Sequence, residues 1–377
     1  MPLRCFFALM VLVCVPHFGA ATTLRVPAQH ANIQAALTSA AVGDTVLVAA
    51  GTYTGTGNRN LDFKGKDLVL LAESGSAVTI IDVAGSEQDP ARGILLGSAL
   101  TQATVVDGFT IVNGFMAEMS EPSLARSADA RHDLSGAGIM IRGFCSPIVR
   151  NCIIRNCSSA FTGGGLGIEL GAAPRLENVV VRGCSAGIQG GGLSLETGAD
   201  ATLINCIFIG NRALNGGGAH FSPGAVTVIG SVFAGNSADG RGGGIDALLF
   251  SRVRLEQTIV WNNCGSQGDD FFVDPAIADE PSDFVQLVCC IVDTTGVHDE
   301  GGALEYVADN VFADPAFCSP ADCQEAPTLA GDYAVGDASP ARVENSPCGV
   351  AIGAGNGGCA SPVRADSWTK VKSRYRR

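Results

Sequence analysis

Beyond its first residues the chain has no run of ~18 uncharged apolar residues, the length a helix needs to cross a bilayer, so no membrane-spanning helix is expected. It is also short of basic residues. Against 37 Asp and Glu stand 24 Lys and Arg, a formal net charge of −13, which makes nucleic acid or an anionic membrane a poor partner. The same acidity argues against strongly anionic glycans unless a cation such as Ca²⁺ bridges them. Between residues 136 and 263 no apolar run at helical spacing is long enough for an α-helix, which sets aside helical solenoids and leucine-rich horseshoes. No cysteine spacing makes a convincing zinc site.

What is present is one phrase repeated five times. Gly163-Gly164-Gly165-Leu166 returns as Gly190-Gly191-Gly192-Leu193, Gly216-Gly217-Gly218-Ala219 and Gly242-Gly243-Gly244-Ile245, and a weaker first copy reads Gly136-Ala137-Gly138-Ile139. The steps between copies are 27, 27, 26 and 26 residues. A fixed period of this length marks a repeat fold, in which each unit buries its apolar face only against its neighbours. Between the glycines lie Leu176-Glu177-Asn178, Leu203-Ile204-Asn205 and their equivalents, each followed by a short run such as Val179-Val180-Val181 or Ile207-Phe208-Ile209. Short β-branched and aromatic runs punctuated by Gly and Asn spell strands. A unit of around 26 residues holds about three short strands plus turns, with coils stacked about 4.8 Å apart. An all-β parallel β-helix is the expected fold. Asn151, Asn178 and Asn205 fall in register, as do Asn211, Asn236 and Asn263. Stacked amides can bond from coil to coil, and Asn tolerates the left-handed backbone of tight turns.

Met1 to about Ala21 carries one Arg, an apolar core from Phe6 to Val15, Pro16 and the small residues Gly19-Ala20-Ala21. This reads as a secretory signal peptide over residues 1–21, so the mature chain is expected to be secreted or on the cell surface, and monomeric. Of 14 cysteines, 12 remain after cleavage, and export favours disulfides. Pairing within Cys318/Cys323 and within Cys348/Cys359 is expected. Cys157 and Cys184 occupy equivalent places on adjacent coils and either bridge or stay as buried thiols, whereas Cys152 and Cys206 are two coils apart, too far to bridge. The β-helix is expected over residues 22–318, opened by a capping helix at 32–41 with Asn32 as N-cap and Gly43 beyond its end. Residues 115–135 and 265–283 read as loops leaving the stack. Residues 319–360 read as an irregular, disulfide-stapled cap closing the C-terminal end, and 361–377 as a basic tail.

The helix followed by Gly43-Asp44-Thr45-Val46-Leu47-Val48 and Gly51-Thr52-Tyr53 resembles the opening of bacterial right-handed β-helix proteins of the pectate-lyase-like superfamily. The glycine phrases, with Phe208-Ile209-Gly210-Asn211 and Phe233-Ala234-Gly235-Asn236, resemble the repeats of chlamydial polymorphic outer membrane proteins. Together these resemblances cover roughly residues 28–318 and imply a single-stranded right-handed coil. They imply no one activity, because the superfamily includes lyases, hydrolases, epimerases and adhesins. Neither the Arg-x-Pro-x-x-Arg segment of pectate lyases nor the Asn-Thr-Asp and Gly-His-Gly pairs of polygalacturonases occurs here.

Strand alternation after the glycines predicts two outward columns: Met140, Gly167, Ser194, His220, Asp246, and Arg142, Glu169, Glu196, Ser222, Leu248. Glu169 and Glu196 then lie one coil apart, about 5 Å at the backbone. Carboxylates that close supply an acid and a base, as sugar cleavage requires. Arg142 would fork an acidic sugar, and His220, near Asp246, would move protons. The simpler reading pairs Arg142 with Glu169 and leaves Glu196 and His220 on the surface, where ion pairs contribute little. Asp269, Asp270 and Asp274 are the candidate ligands for Ca²⁺, without the alternating spacing of a dedicated calcium loop. The expected function is binding of a polysaccharide, a cell-surface glycan or a partner surface through the solenoid face without catalysis. The alternative is a polysaccharide lyase or glycoside hydrolase acting on an acidic glycan.

Overall fold

The computed structural model describes residues 21–97, 99–117, 134–248, 250–274, 284–299, 304–354 and 358–359. The signal segment up to residue 20, the basic tail, most of segment 115–135 and residues 275–283 lie outside the described residues.

One coil shows the construction. From Gly163 the chain makes strands Leu166–Glu169, Arg175–Glu177, Val180–Arg182 and Ser185–Ala186, four where about three were expected. Each pairs in parallel and in register with its equivalent one coil on: Leu166 with Leu193, Leu176 with Leu203, Val181 with Phe208, Ser185 with Arg212. The first two strands of each coil belong to one broad sheet, because Leu193–Ile204 and Ala219–Ile229 run unbroken through the bend between them. The third strands build a nine-stranded flank sheet, and the fourth a narrow six-stranded one. This is a parallel β-helix. Its core is the inward set, for instance Leu166, Ile168, Leu176 and Val181 with their equivalents, and it includes the stacked rings of Phe208 and Phe233 at 4.8 Å.

The repeated residues make the corners. Asn151, Asn178 and Asn205 adopt φ of 53°, 53° and 52°. The Asn178 amide donates to Asn151 Oδ1 at 3.0 Å, and Asn151 in turn donates to Asp107 at 2.8 Å. Gly190 turns at φ +64°, and a Cβ there would lie 2.2 Å from the Leu193 carbonyl oxygen. Only glycine fits.

A second amide column is internal. The backbone N–H and Nδ2 of Asn211 both donate to Asn236 Oδ1 at 3.0 Å. Asn236 does the same to Asn263 at 3.0 and 2.9 Å, and Asn263 to Asp270 Oδ1 at 3.2 and 2.7 Å. Each Nδ2 also reaches a carbonyl, of Val181, Phe208 and Phe233 in turn. Every buried amide group in the column therefore has a partner. Cys157 and Cys184 occupy the same corner position on the preceding coils, and both stay free thiols, as do Cys145, Cys152, Cys206 and Cys290.

At the N-terminal end, helix Ile33–Ser39 buries Ile33, Ala36 and Leu37 on the first coil. Asn32 Oδ1 accepts from the Ala35 amide at 2.8 Å, and Lys66 Nζ donates to the carbonyls of Leu37, Thr38 and Ala40 at the other end. Both helix ends are thus satisfied.

Three expectations need correction. Residues 265–283 do not leave the stack as one loop, since Cys264–Gln267 and Phe271–Val273 are strands of a further coil. Gly268, at φ 68°, heads a sixth copy of the phrase in which Asp269 and Asp270 replace two glycines. A Cβ at the equivalent Gly244 would sit 2.8 Å from Asn263 Nδ2. No asparagine continues the column beyond Asn263, and the Asp270 carboxylate takes that place.

Residues 312–354 do not close the end of the stack. They run back along the flank sheet as a strap. Asn262 Nδ2 donates to Ala321 O, Arg212 to Ala326 O, the Thr328 amide to Gly210 O, and Arg182 to Leu329 O, so the strap retraces the coils in reverse. Its return arm pairs Asp332–Val335 with Phe317–Ser319 and buries Tyr333, Val335, Ala341 and Ile352 against Ile209, Val232, Ala234 and Ile259. The disulfides follow this path: Cys264–Cys323, Cys289–Cys348 and Cys318–Cys359. The pairings expected within Cys318/Cys323 and Cys348/Cys359 do not form, because the strap brings Cys323 and Cys348 against cysteines of the coils.

Candidate functional site

The first predicted column runs Met140, Gly167, Ser194, His220, Asp246 in register, and continues through Phe272 to His298. It points away from the core but is not exposed: His220 is 1% accessible and Asp246 0%. The expectation of a solvent-facing column is corrected for a local reason. The left-handed glycine before each strand folds the chain back over that strand's outward side chain, so that a Cβ at Gly216 would lie 3.0 Å from His220 Cβ. Arg241, on the same returning segment, places its guanidinium 4.8 Å from the centre of the Phe272 ring and its Nε 3.8 Å from Asp246 Oδ1.

Within this closed strip the polar groups answer one another. His220 Nδ1 and Asp246 Oδ2 lie 2.8 Å apart, and Ser194 Oγ donates to Glu196 Oε1 at 2.5 Å. In the second column Arg142 and Glu169 are register partners. Glu169 is buried, while Arg142 and Glu196 are half-buried. Of the five predicted catalytic residues, the structure therefore sets Arg142 and Glu169 in register on adjacent strands, bonds His220 to Asp246, and ties Glu196 to Ser194. The His220–Asp246 contact ties neighbouring coils in register, whereas the Ser194–Glu196 bond stays within one coil.

The three candidate Ca²⁺ ligands serve separate ends. Asp270 is buried in the asparagine column, and burial pushes its carboxyl up to about 7 against the opposing pull of the Asn263 hydrogen bonds. Asp269 Oδ1 accepts from the Gly265 amide at 2.8 Å, and Asp274 follows strand Phe271–Val273, its amide donating to the Ala247 carbonyl. Among the described residues these three carboxylates do not converge on one point. Among the described residues the one grouping of metal-type ligands is Cys264, Asp322 and Cys323, whose two sulfurs are already joined to each other.

Two other surfaces of the described residues are open. On the second strands of the broad sheet, outward side chains form two parallel columns over successive coils: Arg175, Thr202, Thr227, Arg254, Gln286, and beside them Glu177, Ile204, Ile229, Glu256, Val288. Arg175 pairs with Glu177, and Arg254 with Glu256 at 2.5 Å, which leaves the two threonine rungs between the paired charges.

The other surface is a groove between the flank sheet and the strap, built from two adjoining cavities of about 460 and 420 Å³ that share Val180, Ile207 and Ala354. The first has a floor of Ile153, Val180 and Ile207, with Arg155 and Arg182 at one side and Gly331 to Ala334 of the strap as its roof. Sequence reasoning missed it. The alternation Ile153-x-Arg155 and Val180-x-Arg182 carries the floor, but the roof comes from residues about 150 positions away in the chain.

A family model described as "Right handed beta helix region" matches residues 113–264. Together with the parallel sheets, this makes the fold a right-handed parallel β-helix. Searches of curated proteins and of solved structures returned no match. No helix among the described residues is long and apolar enough to cross a membrane.

Proposed function

We propose that the protein is a secreted or cell-surface β-helix repeat protein that binds a polysaccharide or a partner surface through its solenoid face, without catalysis. We further propose kinship with the pectate-lyase-like superfamily and with the chlamydial repeats it resembles. The observation that carries the reading is the in-register polar face of the broad sheet. Arg, Thr, Thr and Arg rungs recur at the coil spacing, and their fixed backbone presents hydroxyls and charges with little ordering cost on binding. Three disulfides are compatible with an extracellular setting. Burial of Glu169, His220 and Asp246 supports a structural part for them rather than proton transfer to a substrate.

The test is a polysaccharide panel read two ways. Binding is expected on a glycan array and is weakened by the paired change Thr202→Trp/Thr227→Trp, with no release of reducing ends or unsaturated products. Product formation that Glu196→Gln abolishes would replace this reading with a lyase or hydrolase working from the half-buried Arg142 and Glu196.

A further inference from the structure

We infer that the flank groove binds an alkyl carboxylate, a fatty-acid-like anion, at a site separate from the polar face. Its cation side comes first. Arg155 and Arg182 are register partners on adjacent coils, so two like charges stand about 4.8 Å apart at the backbone. Like charges directly opposite on neighbouring strands repel. Arg155 has no ion-pair partner among the described residues, in a chain whose net charge is −13. Asp332 at the rim is exposed, and its Oδ1 accepts from the Ala334 amide at 3.0 Å.

Arg182 is held but not satisfied. Its Nη2 donates to the strap carbonyls of Leu329 and Ala330, which orients the guanidinium, while its Nε is buried and has no acceptor. Tyr333, 8% accessible, roofs the cavity with its ring and sets its hydroxyl against Gly235. Burial raises its phenol above the ordinary range, with the nearby Ala321 amide and the Arg182 charge opposing, yet the hydroxyl makes no hydrogen bond of ordinary geometry. Unmet buried donors are costly. These two atoms are sealed from the cavity, and its anion end is the register pair Arg155 and Arg182, which line one side of it.

The rest of the cavity decides what kind of anion. Ile153, Val180, Ile207, Val232, Ala334 and Ala354 line it, all aliphatic, and Tyr333 is the one aromatic ring. Sugar rings favour aromatic platforms, and inorganic anions gain nothing from aliphatic walls. A hydrocarbon chain gains roughly fourfold in affinity from each methylene buried. A volume of about 460 Å³ falls in the range of small-molecule sites. The basic tail, residues 361–377, has the same sign as the arginines, and its charge does not suit it as occupant.

The experiment is calorimetry on the disulfide-intact protein with dodecanoate below its micelle concentration. One-to-one binding is expected. Acetate, which lacks the chain, and dodecanol, which lacks the charge, should each bind at least about tenfold more weakly. Arg155→Ala should cost about tenfold, Arg155→Lys less, and Val180→Trp, which fills the floor, should abolish binding. Unfolding temperature is measured for each variant, with Arg155→Gln standing in if Arg155→Ala is unstable. No binding of dodecanoate, equal binding of dodecanol or of dodecyltrimethylammonium, or indifference to both Arg155→Ala and Val180→Trp would overturn the assignment. Glycan binding at the polar face is unaffected by any of these outcomes.

Discussion

The two asparagine columns use the same side chain at the same repeat interval and do different work. The outer one, Asn151, Asn178 and Asn205, is exposed, and what it mainly supplies is a left-handed corner. The inner one, Asn211, Asn236 and Asn263, is buried: Asn236 Oδ1 and Asn263 Oδ1 each receive two N–H groups from the coil before, and Asn211 Oδ1 receives the Cys184 amide. In water an amide hydrogen bond competes with solvent, whereas inside the coil nothing else can satisfy the donors. The outer column is a conformational choice and the inner one a structural necessity.

The strongest way to break this contrast is Asn236→Ala. It orphans the Asn211 amide and removes the bond to the Phe208 carbonyl, and should lower stability by about 3 kcal/mol or more, measured by denaturant unfolding.

Asp270→Asn sharpens the comparison by extending the inner column with its own residue. The Asp270 carboxyl, ordinarily near 3.8, is pushed up to about 7 in the fold. The folded state then holds the proton more tightly than the unfolded chain. Its contribution is full below about pH 4 and is lost as pH rises through about 7. The substitution should be close to neutral at pH 4 and stabilising by about 1–3 kcal/mol at pH 8. A wild-type stability that does not fall relative to the variant over that interval contradicts the burial argument.

The smallest effect belongs outside. Asn178→Gly keeps the left-handed corner and loses two exposed amide bonds, to Asn151 and from Asn205, for about 0.5 kcal/mol, while Asn178→Ala should cost about 1–2 kcal/mol because its Cβ resists that backbone. If the two are equal, the corner is not what Asn178 provides.

Much of this was legible in the residues. The glycine phrase announces stacked coils, and both asparagine registers are visible by counting. The sixth copy escaped because Gly268-Asp269-Asp270-Phe271 looks like acidic loop, and only the lapse of the asparagine column explains why a carboxylate is admitted there. Alternation predicts the strip through His220 and Asp246 on the outside because it tells core from non-core, not covered from uncovered. What covers it is the backbone path of Gly216 and its equivalents. The strap and its disulfides were illegible for a different reason: Cys264 and Cys323 are 59 residues apart, and nothing local in either segment encodes their meeting.

The strap that retraces the coils has a kinetic meaning. In a linear stack each unit touches only its neighbours, so melting ordinarily starts at an open end and proceeds unit by unit. Here one segment touches the coils of Arg182, Gly210, Gly235 and Gln257 at once, and is cross-linked at Cys264 and Cys289. The final coils cannot unzip singly. It also docks only after those coils exist, so the strap acts as a latch that turns a row of separable units into one cooperative body.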